Sequence, residues 1–228
     1  LIYDPEYLTN YEFGISSNLK DRDLNYSFVI FFSERKDQQV LISRQVDPTD
    51  PNTFSYLTQN AAEGENYGIE ITSNYFLRDD LYLFANLGFL KTKIKNWESR
   101  IDLEGRSQAH APEHSYSIGG NLNLKNNLYL KLDINGKSSF YYSDSHDNQS
   151  KSYQLTNIIF GYSNSDFSAD LWVRNIFNKY YSTRGFYFGN EAPNFIDTLY
   201  RRQGDPRNIG ISLRLSLIHI SEPTRRSY

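Results

Sequence analysis

Leu128-Tyr129-Leu130-Lys131-Leu132-Asp133-Ile134-Asn135-Gly136-Lys137 alternates without a break: Leu128, Leu130, Leu132 and Ile134 share one face, and Lys131, Asp133, Asn135 and Lys137 share the other. Successive side chains of a strand leave on opposite faces, so strict period two marks a β-strand with one apolar side. The pattern returns close to the end of the chain, where Ile209, Ile211, Leu213, Leu215 and Leu217 stand against Asn208, Gly210, Ser212, Arg214 and Ser216. Working outward from these two, seven further segments fit: 9–20, 24–35, 66–76, 81–95, 114–125, 151–163 and 167–177. In 151–163 the apolar face switches from Tyr153 and Leu155 to Ile158, Phe160 and Tyr162, which predicts a β-bulge or a shifted register. Nine strands result, with no convincing helix.

The connections alternate in length. Asp21-Arg22-Asp23, Arg78-Asp79-Asp80, Asn126-Asn127 and Asn164-Ser165-Asp166 are tight and polar, with good turn chemistry, whereas 36–65, 96–113, 143–150 and 178–206 are long. Short turns at one end and long loops at the other describe an antiparallel meander. Alternation by itself fits a soluble sandwich as well as an outer-membrane barrel, because in one the apolar face meets a second sheet and in the other it meets lipid. Strands of about ten residues or more, short turns on one side only, and aromatic residues near strand ends favour the barrel.

Composition narrows the alternatives. The chain has 228 residues, of which 19 are Tyr, 15 Phe and 2 Trp, an aromatic load suited to a surface where rings are useful. Mean hydropathy is −0.63, and the longest unbroken apolar run is Phe28 to Phe32, far short of the ~20 residues a spanning helix needs. With 24 basic and 27 acidic residues, net charge −3 and pI near 5.8, there is no electrostatic footprint for nucleic acid. No Cys is present, which excludes a disulfide framework and thiolate metal ligation within these residues. Rings with a polar edge favour a membrane interface. Two belts are therefore expected: Tyr11, Phe13, Tyr26, Tyr75, Tyr82, Tyr129 and Phe167 near the tight turns, and Phe32, Phe89, Trp97, Tyr116, Phe140, Tyr142, Tyr153, Tyr180 and Tyr181 near the long loops.

From about residue 9 to 217 the chain resembles the C-terminal part of a TonB-dependent receptor barrel. Leu171-Trp172-Val173-Arg174-Asn175-Ile176-Phe177-Asn178-Lys179-Tyr180-Tyr181 is similar to the penultimate strand of that family, and Gly204-Asp205-Pro206-Arg207-Asn208-Ile209-Gly210-Ile211-Ser212-Leu213-Arg214 to the lead into its last strand; Ala111-Pro112 is a weaker likeness. Gly204 and Pro206 would punctuate the loop so that Arg207 joins the strand extended, and Asn175 would close polar contacts where the preceding strand ends. The resemblance implies an all-β, antiparallel transmembrane β-barrel, here an incomplete barrel of about nine strands, in the bacterial outer membrane. Transporters of this kind have about 22 strands, which makes 9–20 roughly the fourteenth and puts the tight turns on the periplasmic side. Leu1 is not a start residue, so 1–217 is expected to be a piece of a longer protein, whose plug and TonB-binding segment lie elsewhere. The tail 218–228 looks like adapter read-through and is expected to be non-native.

The resemblance implies active, TonB-energised uptake of a scarce ligand, foremost a ferric siderophore, with haem, cobalamin and oligosaccharide left open; the partners are outer-membrane lipid, the TonB complex and the ligand. A passive porin-like or adhesin barrel is the alternative. No catalytic constellation emerges, no resident cofactor or metal is implied, and an enzyme is not expected: His110, His114 and His146 fall in or beside loops without a nucleophile context, and His110, Glu113 and His114 share no enforced face, so solvated histidines are expected. The loop at 182–206 gathers Arg184, Phe186, Tyr187, Phe188, Phe195, Tyr200, Arg201 and Arg202, a mixture of ring planes and guanidinium forks suited to an anionic, partly aromatic chelate. Tyr187, Tyr200, Arg201 and Arg202 are the candidate ligand contacts, and a loop that packs its own rings is the competing reading. Loop 36–65, with Arg35, Lys36, Arg44, Tyr56 and the turns Asp47-Pro48 and Asp50-Pro51, is expected to cap the same mouth.

Overall fold

The computed structural model describes residues 3–20, 23–47, 53–97, 101–144, 146–189, 192–196 and 198–216, with the backbone alone at 40–45, 54–57, 59 and 61. Nine strands form one antiparallel sheet: β1 (Tyr7–Leu19), β2 (Leu24–Gln45), β3 (Phe54–Arg78), β4 (Leu81–Trp97), β5 (His114–Asn123), β6 (Leu128–Lys137), β9 (Tyr153–Ser163), β10 (Phe167–Arg174) and β13 (Asn208–Leu215). Each pairs with the next wall strand in sequence, as the tight turns dictate. Two small hairpins are inserted at the loop end, β7 (Tyr141–Ser143) with β8 (His146–Gln149), and β11 (Ser182–Phe188) with β12 (Thr198–Gln203). One turn of 3-10 helix covers Ile101–Leu103.

The turns use the chemistry written in them. Asn126 and Asn127 both hold positive φ, 59° and 60°, the geometry of a two-residue hairpin turn that Asn tolerates. The Asn164 carboxamide oxygen accepts from the backbone N–H of Asp166 at 3.0 Å and of Phe167 at 2.7 Å. Asp21 and Arg22 of the first turn, Leu217 and the tail 218–228 lie outside the described residues.

The register assigns the faces. Leu130 pairs with Phe160 and Leu132 with Ile158, and Phe160 pairs with Leu171, which pairs with Ile211, so one face carries an apolar ladder across four strands. The opposite face carries Lys131, Asp133, Asn157, Asp170, Ser212 and Arg214. A cavity of about 1000 Å³ on this polar face is lined by Asn25, Asn121, Lys131, Asp170 and Arg214 together. In a flat sheet β2 and β13 would stand roughly 34 Å apart, at ~4.8 Å per spacing, so a shared cavity requires that the sheet curl with its polar face concave. The convex ladder stays open: Ile211 and Leu213 are each 70% exposed.

Several expectations are corrected. No bulge occurs in β9, whose register with β6 runs unbroken from Leu128↔Tyr162 to Lys137↔Tyr153. The change of apolar face is real: Tyr153 and Leu155 lie on the concave side, and Tyr153 finds a loop partner there, meeting Tyr181 at 4.5 Å between ring centroids. Region 36–65 is mostly strand, since β2 and β3 continue pairing to Gln45↔Phe54 beyond an irregularity at Arg35/Gln38. Asn60 seals that irregularity by donating to the carbonyls of Asp37 at 2.7 Å and Asp4 at 2.8 Å. Arg35 and Lys36 therefore stand on a wall strand, in ion pairs with Glu6 and Glu34; the side chains of Arg44 and Tyr56, and residues 48–52, lie outside what is described.

The belts are likewise redistributed. Tyr11 pairs with Phe32 and Phe32 with Tyr67 near the loop end, so Tyr11 and Phe13 do not flank a tight turn. Tyr82 and Tyr129 do flank turns, but they face the concave side, where Tyr82 donates to Asn74 at 2.6 Å and Tyr129 donates to Asp170. Tyr26, Tyr75 and Phe167 near the turns, and Phe32, Phe89 and Tyr116 near the loops, keep the convex side. Phe140 and Tyr142 are buried beneath the inserted hairpins. Together with Ala62, Ile94 and Leu103 they are the buried apolar residues among those described, so the conventional core among these residues gathers at the loop end, where Ala62 of β3 and Ile94 of β4 lie beside Gln108 and Ala109 of the following loop.

Candidate functional site

At the end of β10 the chain turns on Asn175, 4% exposed and at φ 50°. Its carboxamide nitrogen donates to the carbonyls of Lys179 at 2.9 Å and Asp205 at 3.1 Å, and its oxygen accepts from the Lys179 N–H at 2.7 Å. Asn178 repeats the device, accepting from the Arg207 N–H at 2.9 Å. Gly204 lies under the Tyr181 ring, where an added Cβ would fall 2.0 Å from Cζ. Burial, with smaller contributions from Tyr153 and Asp205 and against an opposing backbone hydrogen bond, pushes the Tyr181 phenol above its ordinary value. The stretch from Asn175 to Tyr181 and the lead-in at Gly204 to Arg207 thus form one clasp, in which Asn175 closes the polar contacts the sequence suggested while Gly204 makes room for the Tyr181 ring. It fixes both ends of the segment that carries β11 and β12.

Pairing in that hairpin decides which candidate contacts can act together. Gly185 faces Arg201, Tyr187 faces Leu199, Phe186 faces Tyr200 and Arg184 faces Arg202. Tyr187 and Arg201 therefore share one face, while Tyr200 and Arg202 share the other with Arg184, Phe186 and Phe188. The first face packs inward at Tyr187 and Gly185, where the Tyr187 ring stacks on His146 at 3.6 Å and 8° and Tyr142 lies beneath Gly185; Arg201 at its edge is exposed, with its guanidinium 6.0 Å from the Tyr142 ring centroid. The second presents rings, with Phe186 edge-on to Phe188 at 5.3 Å and stacked with Tyr200 at 6.2 Å; Phe188 is 50% exposed. The four candidates do not form one cluster. Phe195, in the connection between β11 and β12, has φ 47°.

Arg106 was not foreseen as part of this surface. Its side chain is 11% exposed, lies 4.0 Å from the Tyr141 ring centroid, donates to the carbonyls of Ser143 at 3.2 Å and of His146, and pairs with Asp147 at 3.1 Å. A lone Arg in a loop carries no sequence signal for such a role. His146 is a half-buried stacking partner and not a solvated loop residue; His110 approaches Phe140 at 5.6 Å, and His114 stands edge-on to Phe89 on the convex side.

A curled antiparallel wall with a polar concave face, an open apolar convex face and hairpins inserted at one end has the architecture of part of a membrane β-barrel. Residues 2–176 match the family described as TonB dependent receptor-like, beta-barrel, and the chain belongs to that family. The match ends at Ile176, so the clasp lies largely beyond it. Among solved structures, the chain is similar to the ferric yersiniabactin uptake receptor FyuA from Yersinia pestis, with TM-score 0.75 and 17% identity over 92% of this chain and 30% of that one. It is also similar to the siderophore receptor PiuA from Acinetobacter baumannii, with TM-score 0.71 and 17% identity over 90% of this chain and 28% of that one. The copper transporter OprC matches with TM-score 0.69 and 15% identity over 93% of this chain and 31% of that one. At these identities the likeness concerns the fold, and the chain spans under a third of each protein's length. These relatives are receptors and a transporter, not enzymes.

Proposed function

We propose that this chain is part of the wall and mouth of an outer-membrane receptor that imports a ferric siderophore with energy delivered through TonB. The observation that carries the reading is the exposed face of the β11–β12 hairpin, where Arg184 and Arg202 flank Phe186, Phe188 and Tyr200 above a polar concave wall. Guanidinium groups pair with anionic oxygens and ring planes stack on aromatic chelating groups, so this face suits an anionic iron chelate. The convex ladder of Leu132, Phe160, Leu171 and Ile211 meets lipid in this reading, with the tight turns in the periplasm. Family membership supports a receptor over a passive pore or an adhesin.

The test is uptake of radio-iron chelates by Gram-negative cells that lack their own receptors and express the full-length protein, with and without TonB. TonB-dependent accumulation of a ferric siderophore is expected. Accumulation that persists unchanged without TonB would favour the passive reading instead.

A further inference from the structure

We propose that Arg106 is a positioning residue that transmits the rigidity of the barrel wall, by way of β7–β8, to the ligand-facing hairpin β11–β12. The ligand-facing role of that hairpin rests on the function proposed above; the mechanical link does not. Arg106 is anchored to the wall through its backbone: Ile94 of β4 donates to the Arg106 carbonyl at 2.9 Å, and Gly105 donates back to Ile94 at 2.8 Å. Its guanidinium then grips β7–β8 at three places, the carbonyls of Ser143 and His146 and the Asp147 carboxylate. Asp147 is 97% exposed, so the ion pair is the weak part, and the carbonyl contacts of a largely covered, planar, charged donor are the strong part.

From β7–β8 the contact passes to β11–β12 through two rings. His146, whose carbonyl Arg106 holds, lies flat on Tyr187, and Tyr142 fills the space under Gly185, where any Cβ would fall 2.5 Å from the Tyr142 ring. Tyr142 is 4% exposed, which leaves its ring little room to adjust. The loop after β4, the hairpin after β6 and the hairpin after β10 are thereby joined in series. Lys cannot replace Arg at such a point, because an ammonium lacks the planar fork that reaches separate acceptors while lying on the Tyr141 ring.

The experiment is hydrogen exchange on the full-length receptor in detergent or lipid, comparing wild type with Arg106→Ala, Arg106→Lys and Tyr187→Ala. Amides of 182–188 and 198–203 should exchange at least tenfold faster in both Arg106 variants, and those of 128–137 should be unchanged. Tyr187→Ala, which cuts the link further along, should loosen 182–203 and leave 141–149 protected. Ala109 and Asp144 are already joined by a 2.6 Å hydrogen bond between the two loops, so a staple from Ala109→Cys with Asp144→Cys should restore protection of 182–203 to Arg106→Ala when oxidised and lose it when reduced.

Ferric enterobactin, ferrichrome and ferric citrate serve as binding probes. Whichever binds wild type should bind Arg106→Ala at least tenfold more weakly and recover with the oxidised staple. Loosening confined to 141–149 in Arg106→Ala, or a formed staple that restores nothing, would overturn the inference. A wild-type receptor that binds none of the chelates would instead count against the siderophore reading, with the exchange data still deciding the role of Arg106.

Discussion

Tyr129 donates its hydroxyl to Asp170 across the empty side of Gly161, joining β6 to β10 over the strand that lies between them. The glycine is what lets the ring lie flat, since a Cβ there would fall 2.4 Å from the Tyr129 Cζ and 2.6 Å from the Asp170 carboxylate. Gly161→Ala should push the ring off the wall and cost about 1–3 kcal/mol, the usual range for overpacking. Tyr129→Phe, which keeps the ring and loses the bond, should cost about 1 kcal/mol. Denaturant unfolding of the full-length barrel in lipid measures both, and a Gly161→Ala variant as stable as wild type would show that the ring's space does not matter.

Asn175 holds the clasp with both ends of its carboxamide. Asn175→Ala should destabilise the loop end by about 1–3 kcal/mol, because it removes a buried carboxamide that makes three hydrogen bonds to the backbone of Lys179 and Asp205. Asn175→Asp should be nearly as harmful, since it keeps the acceptor but turns a carboxylate oxygen toward two carbonyls. Proteolysis of the segment between β10 and β13, with the wall intact, reports the loss; an Asp variant indistinguishable from wild type would contradict the bond assignment.

The convex ladder predicts a cost that depends on face. Leu132→Arg should destabilise the complete barrel in lipid by about 2–4 kcal/mol, whereas Lys131→Gln, one residue away on the concave side, should leave it within about 0.5 kcal/mol. Similar values for the two would mean that the faces are reversed or that lipid does not cover the convex side.

Ligand contact should divide between the two arginines. Arg202 stands with the exposed rings and Arg201 over Tyr142, so Arg202→Ala should weaken chelate binding about tenfold, or ~1.4 kcal/mol. Arg201→Ala should act mainly by loosening the packed face, and more weakly. Calorimetric titration of the two single variants in the full-length receptor separates them, and an unchanged Kd in Arg202→Ala would return the exposed rings to a self-packed surface.

The wall was legible because period two is a local property: Leu128 to Ile134 states its two faces without help from any partner, and the register of nine strands follows from the turns. The errors have equally local causes. Tyr129 lies in the odd series with Lys131, so the alternation that sent Leu130 outward had already sent this ring inward; nearness to a turn was the wrong criterion. Tyr82, between Leu81 and Leu83, repeats the mistake. The inserted hairpins are different, because β7, β8, β11 and β12 are short strands whose pairing depends on one another and on what lies beneath. Arg201 and Arg202 are neighbours in sequence and opposites in space, which only the pairing of β12 with β11 could reveal.

The unbroken register between β6 and β9 places no demand on the residues that join them, and β10 meets β13 in the same way across a still longer interval. Wall and mouth are thus specified by separate stretches of sequence. An exchange of one inserted hairpin for another of different length would preserve the wall's register while rewriting what the mouth can recognise, provided the clasp at Asn175 and the contacts of the neighbouring hairpin are kept. In the receptor proposed above, such a wall would be a standard socket with interchangeable fittings, open to new cargo by recombination at the loop bases and not by gradual change within the strands.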